Sequence, residues 1–336
     1  MPIKVRMYPH LSELGGGESG INTVVRKYFQ HLPNYGIELV GPDSDSYDLR
    51  AAHAGITGAD TDVCHTHGLY WTGDYNASDW EWHVNSRVIA ACRNAKIITV
   101  PSDWVAETFR RDMRLNPAIV SHGVDWDEWQ HNEECRGYVL WAKNRTGDVC
   151  DNSILDVLMA RFPDVNFVST LPTTLTSSQI NTPLWPKNFK LLPGGGRTPH
   201  EEMRGFIQRA GVYLSSSKET FGISVLEAMA SGVPVLGYDW GGNSFLVKHG
   251  VSGYLAKPND INDLCEGLVY CLKHRKVLGA NARELAKAWT WEAACEKVAG
   301  VYRQAMVEDV RPMRIEPELY EYQNDADSKL AKFLKV

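Results

Sequence analysis

SSSKETFGISVLEAMASGVPVL, running from Ser215 to Leu236, is the stretch on which the reading of this chain turns. An apolar run at 212–216 reads as a buried strand, and apolar spacing over 222–231 reads as a helix. Glu219 falls in the loop between them, and Gly222 opens the helix. The first N–H groups of a helix have no partner inside it, and they carry the positive end of its dipole. Those of Gly222, Ile223 and Ser224 can therefore hold a diphosphate. Glu227 lies one and a half turns further in, about 7 Å along the axis. A nucleotide whose diphosphate caps the helix would bring its ribose to that depth. A carboxylate accepts from two vicinal hydroxyls, so Glu227 suits the ribose. Glu219, at the mouth, suits sugar hydroxyls or a developing positive charge.

Around this stretch, strands and helices alternate. The second half reads as strand 138–143, helix 152–161, strands 166–169 and 189–192, helix 199–209 and strand 212–216. After helix 222–231 come strand 234–237, a helix near 243–248, a strand near 253–256 and helical stretches at 260–274, 279–288 and 291–307. The first half offers strands at Ile3–Tyr8, Ile37–Val40, Asp62–His65, Ile97–Val100 and Ile119–Ser121. Its helices are Ile21–Leu32 and Asp103–Arg111, the latter capped by Ser102. Such alternation implies parallel sheets built from βαβ units. The polar, aperiodic segment His131–Arg136 reads as a linker. The expectation is α/β with two Rossmann-like domains, 1–131 and 136–310, facing a cleft, and a polar tail at 311–336.

The chain has 336 residues, enough for two domains. With 43 % hydrophobic and 23 % charged residues the composition is ordinary and globular, which excludes disordered, collagenous and coiled-coil classes. The net charge is −6, so no global basic field recruits nucleic acid or anionic lipid. Residues 1–130 carry all of it, with 11 basic against 17 acidic residues. Seven scattered cysteines form no Cys-x-x-Cys pair, which suggests neither a disulfide framework nor a zinc site. Met1–Arg6 is charged within a short apolar stretch, and no apolar run approaches the ~20 residues that span a bilayer. A cytoplasmic protein without an integral membrane segment is expected.

Gly15-Gly-Gly-Glu-Ser-Gly20 opens the first helix and admits two readings. Gly15, Gly17 and Gly20 satisfy G-x-G-x-x-G, with Asp43 about 20 residues on, which is a dinucleotide-fold pattern. Six residues, however, separate these glycines from the strand, where a pyrophosphate turn is tight. The other reading is a loop whose N–H groups face an anion or sugar. Asp-x-Asp pairs at 43/45, 60/62, 125/127 and 325/327 fall in turn-like contexts, and no metal is assigned. Tyr70, Trp71, Tyr75, Trp80 and Trp82 suit either stacking on a sugar or base, or core packing.

Glu219 and Glu227 in E-x7-E, followed by Ala-Met-Ala-Ser-Gly-Val-Pro-Val, resemble the motif of the large retaining group 1 glycosyltransferases of GT-B fold (glycosyltransferase family 4). Gly241-Gly242-Asn243, His249–Leu255 and Trp289-Thr-Trp-Glu292 resemble further segments of that family, and Gly16-Gly17 resembles its N-terminal glycine loop. The resemblance is close over 190–305, loose over 1–40 and weak over 45–95. It implies transfer of a sugar from a nucleotide diphosphate sugar to a hydroxyl, with retention and with neither a metal nor any other cofactor. Lys143 takes the place of the family's phosphate-binding Arg, and Arg145 stands in for its Lys, a departure at a bidentate site. Gly194 lies where the family's base-reading loop lies. His67 is the candidate for the histidine that touches sugar or acceptor, with His83 and His122 as rivals, while His65 reads as core-facing. Residues 69–86 depart most from the pattern. Catalysis on residues of both domains would require closure. The expected acceptor is a small molecule or glycan, and a hydroxylated base in DNA is the class left open beside it. Two other functions stand as alternatives: an NAD(P)-dependent oxidoreductase using Gly15, Gly17 and Gly20, and a sugar-nucleotide-binding protein without catalysis.

Overall fold

The computed structural model describes residues 1–14, 20–53, 61–71, 73–93, 95–130, 137–143, 148–171, 186–193 and 198–307. The chain forms two compact units. Met1–His122 and the C-terminal helix Trp291–Val307 make the first, and Gly123–Thr290 makes the second.

The first unit is built on the parallel strands β1 (Ile3–Tyr8), β2 (Ile37–Val40), β3 (Leu49–His53), β4 (Val63–His65), β5 (Ile97–Val100) and β6 (Ala118–Ile119), in the order β2-β1-β3-β4-β5-β6. β4 and β5 are buried along their whole length, as strands covered on both faces must be. The helices are α1 (Gly20–His31), α2 (Asp79–Arg93) and α3 (Asp103–Met113). Ser102 caps α3 as expected, accepting from the Val105 N–H. Its turn ends on Arg114 at φ 52°.

The second unit repeats the plan with β7 (Val139–Trp141), β8 (Phe167–Ser169), β9 (Phe189–Leu191), β10 (Val212–Ser215), β11 (Val235–Tyr238) and β12 (Gly253–Ala256), in the order β12-β11-β10-β7-β8-β9, again all parallel. Its helices are α4 (Ser153–Arg161), α5 (His200–Gln208), α6 (Ile223–Ala230), α7 (Gly241–Leu246) and α8 (Ile261–Ala286). The strand order doubles back between β7 and β10. A crevice opens at such a reversal, at the carboxyl ends of the strands.

The structure departs from the sequence expectation in four places. β3 and α2 were not expected. β3 reads Leu-Arg-Ala-Ala-His, poor in β-branched residues, and is held in the sheet by pairing on both edges. α2 brings Trp82, Val88, Ile89 and Cys92 onto one buried face, and Ser78 with Glu81 makes the start of a capping box. Trp71, Tyr75 and Trp82 therefore belong to the core, while Trp80 remains 55 % exposed. Helical stretches expected at 260–274 and 279–288 are one helix, α8, because the polar run between them faces outward while Leu278, Ala282 and Ala286 stay buried. The expected division at 131–136 also differs from the compact units. α9 (Trp291–Val307) packs on α1, β3 and β4 of the first unit, burying Trp291, Val298 and Tyr302 there. The expected linker itself lies outside the described residues.

Candidate active site

Glu219, Gly222 and Lys143 meet at the carboxyl ends of β10 and β7. Gly222 precedes α6 at φ +95°, a left-handed conformation that glycine adopts without a Cβ penalty. The helix starts at Ile223, and the first N–H groups of a helix have no partner within it. The loop 219–222 is held from behind by the Gly242 N–H, which donates to the Glu219 carbonyl at 2.7 Å. A Cβ on Gly242 would lie 2.1 Å from the Phe221 carbonyl oxygen, so this approach is open only to glycine. Asn243, fully buried, ties the ends of β10 and β11 together. Its amide donates to the Ser215 and Tyr238 carbonyls, and it accepts from the Ser215 hydroxyl.

Lys143 follows β7, and its side chain is 10 % exposed. Its ammonium donates to Glu219 Oε1 and, at 3.3 Å, to Ser224 Oγ. Burial works against this charge, but the Glu219 carboxylate, aided by Tyr213 and Cys150, outweighs it and holds the Lys143 pKa above the ordinary lysine value. The Lys143 backbone is pinned too: its N–H donates to Thr170 Oγ1, and its carbonyl accepts from the same hydroxyl. Tyr213, fully buried in β10, is raised by burial, with Lys143 pulling the other way.

Glu227 is buried on α6, with Oε1 3.5 Å from His200 Nε2. Burial raises its carboxyl pKa, against the opposing pull of His200 and Lys143. His200, the first residue of α5, escaped the sequence reading. Its only sequence signal was its place at a helix start after Pro199.

The arrangement is a helix start carrying one fixed cation, one carboxylate at the mouth and a second carboxylate deeper in. It brings together Lys143, Glu219, Gly222, Ile223, Ser224 and Glu227. Gly16, Gly17, Arg145 and Gly194 lie outside the described residues. His67 belongs to the first unit, just past the carboxyl end of β4.

There it joins a stack. His67 Nε2 lies 3.1 Å from His53 Nδ1, with the rings 5.3 Å apart and nearly parallel. His122 follows at 5.6 Å from His67. His65 is anchored by Thr99 Oγ1 at 2.8 Å and by the Tyr302 hydroxyl at 2.9 Å. His67 is half-buried as a residue, but its ring lies between other rings, and desolvation there takes it down to about 4. Burial lowers His65 to about 3, and His53 and His122 well below the usual imidazole range. The four rings are therefore neutral at pH 7. His53, at the end of the unexpected β3, was missed for the same reason as that strand.

Among the described residues, no group of three or more His, Cys, Asp or Glu has the geometry of a metal site. No helix of the described residues is long and apolar enough to cross a membrane. Cys64, Cys92, Cys150, Cys265, Cys271 and Cys295 are free and buried.

Residues 195–288 match the family described as glycosyl transferases group 1. An uncharacterized glycosyltransferase of Methanocaldococcus jannaschii is 26 % identical over 220 residues, 64 % of this chain and 61 % of that protein. D-inositol 3-phosphate glycosyltransferase of Corynebacterium diphtheriae is 37 % identical over 116 residues, 33 % of this chain and 27 % of that protein. The chain thus spans less than two thirds of the length of these curated relatives. Among solved structures, sucrose-phosphate synthase from Thermosynechococcus elongatus superposes with a TM-score of 0.70 at 17 % identity, covering 90 % of this chain and 98 % of that one. HepE of Anabaena, in complex with UDP-glucose, gives 0.67 at 16 % identity, covering 90 % and 100 %. At such identities the likeness concerns the fold, and that fold is GT-B.

Proposed function

We propose that this chain, a member of the glycosyl transferases group 1 family, moves a sugar from a nucleotide diphosphate sugar to an acceptor hydroxyl with retention of configuration. The observation that carries the reading is the placement of Lys143, Glu219 and Glu227 around the start of α6. The diphosphate lies against the N–H groups of Ile223 and Ser224, with the Lys143 ammonium on its oxygens. Glu227 accepts from the ribose hydroxyls, and Glu219 from the sugar.

The bond between the anomeric carbon and the diphosphate oxygen breaks, and its electron pair leaves with the diphosphate. The acceptor oxygen bonds to the anomeric carbon on the same face, and its proton passes to the departing phosphate oxygen. Negative charge grows on the phosphate as the bond breaks, so a fixed cation and oriented N–H donors stabilise the transition state more than the ground state. With its amine shared by Glu219 and Ser224, Lys143 is preorganised for that task. No step calls on a metal ion or a redox cofactor.

His67 is the candidate contact to sugar or acceptor in the first unit, where Nε2 of the neutral ring is engaged by His53 and Nδ1 is left to donate or accept one hydrogen bond. The acceptor class is a small molecule or glycan. UDP-glucose is the first donor to test, since HepE, a neighbour in fold, was solved with it.

A thermal-shift panel of nucleoside diphosphates and their sugars tests the reading, because a ligand bound only by the folded state raises its melting temperature by mass action. At least one nucleotide is expected to raise the midpoint by several degrees, and Glu227→Ala to remove that shift. A panel without a hit, or a hit indifferent to Glu227→Ala, would refute the donor assignment. A nicotinamide dinucleotide as the sole hit would favour the oxidoreductase alternative. Donor binding with neither transfer nor slow donor hydrolysis would favour a binding protein.

A further inference from the structure

At the amino ends of β7, β8 and β9, opposite the carboxyl ends that carry the candidate active site, the second unit has a crevice of about 290 Å³. Lys187, Lys190 and Arg209 line it, together with Tyr138, Phe189 and Phe206, and no carboxylate is among its described lining residues. Arg209 ends α5 and lies over the Phe206 ring at 5.8 Å. Its Nε is buried without a hydrogen-bond partner. Among the described residues none of the three cations forms a salt bridge, although the chain as a whole carries −6. Lys187 and Lys190 are exposed at the rim, while Arg209 and Phe206 are half-buried.

The charge of Arg209 is met by no carboxylate among the described residues, and an anion in the crevice that it lines would balance it. Three cationic residues lining one small space match a compact dianion better than a single carboxylate. The aromatic side walls give an attached apolar or planar group somewhere to lie. A half-open crevice of this size admits a small molecule, and the acidic chain around it disfavours an extended polyanion. We propose that this crevice binds a small phosphate monoester, its head among Lys187, Lys190 and Arg209 and its apolar part against Phe189 and Phe206. The site is separate from the donor site and does not depend on the glycosyltransferase reading.

Titration of the full chain with phenyl phosphate, followed by amide NMR, tests it, with phenol and inorganic phosphate as companion probes. Phenyl phosphate is expected to shift the amides of 187–192 and 206–210 saturably and to bind more weakly as salt rises. Inorganic phosphate should shift the same amides at roughly tenfold weaker affinity, and phenol should shift none of them. Arg209→Gln should weaken phenyl phosphate at least about tenfold. Lys190→Gln, at an exposed position that leaves the fold intact, should weaken it about threefold. Unchanged affinity in Lys190→Gln, or equal shifts with phenol, would overturn the proposal. So would shifts confined to 222–227, an outcome that would leave the donor assignment standing.

Discussion

Lys143 and Glu219 hold each other in the structure, so removing either changes what the other presents. Lys143→Met keeps the shape of the stem and deletes the charge. It should lower kcat by on the order of 10²–10³ with a smaller change in donor affinity, measured by steady-state kinetics with the identified donor. Equal kcat would remove Lys143 from the chemistry. Burial raises the Glu227 carboxyl. The ribose needs the ionised form, so donor affinity should fall as pH drops, at a higher pH than an ordinary carboxylate would give. Glu227→Gln should flatten that dependence. The histidines of the first unit act on stability. Folded His65 and His67 titrate at about 3 and about 4, against 6.5 for the free side chain. Between these values the unfolded chain binds protons that the folded one does not, so stability falls as pH drops from about 6.5 toward 4. The urea midpoint should show that slope, and His65→Gln should reduce it. Much of this placement was legible in the chain. Glu219 reads as a loop residue after a strand, Gly222 and Glu227 follow from helix spacing, and Lys143 from resemblance. His200 and His53 were not, because each contributes through a neighbour brought up by tertiary packing, which no local pattern encodes.

Between residues and domains, the loop 219–222 is set by two glycines with different reasons. Gly222 supplies the left-handed turn before α6, and Gly242 supplies the room for Phe221 to pass. Gly242→Ala should push the loop from α7. The expected outcome is a loss of about 1–3 kcal/mol by urea unfolding, with donor affinity reduced as Glu219 and the helix start move apart. Unchanged stability would mean that the loop has slack. The strong elements were readable because they obey one rule at a time: β5 is a plain apolar run, and α3 has its serine cap. β3 and α2 were not, since β3 lacks β-branched residues and the aromatic content of α2 obscured its helical period. The capping pair Ser78 and Glu81 was the signal that went unread.

At the scale of the molecule, the C-terminal helix belongs to the first unit although in sequence it follows the second. Its Tyr302 hydroxyl reaches His65, and Arg303 donates to the Tyr35 carbonyl. The sequence showed two βαβ series and hence two sheets, but not this return, because amphipathic spacing in 291–307 says only that one face is buried and not against what. Truncation after Thr290 should abolish the calorimetric transition of the first unit while the second still unfolds cooperatively. Two intact transitions would show that α9 adds little to its host.

The most direct test of the donor assignment is a crystal structure of the chain soaked with the nucleotide diphosphate sugar that the thermal panel selects. The diphosphate is expected within hydrogen-bond distance of the Ile223 and Ser224 N–H groups and of Lys143 Nζ, with the ribose hydroxyls on Glu227. A nucleotide bound anywhere else, over the N-terminal glycines or in the crevice at the amino ends of β7 to β9, would contradict the account.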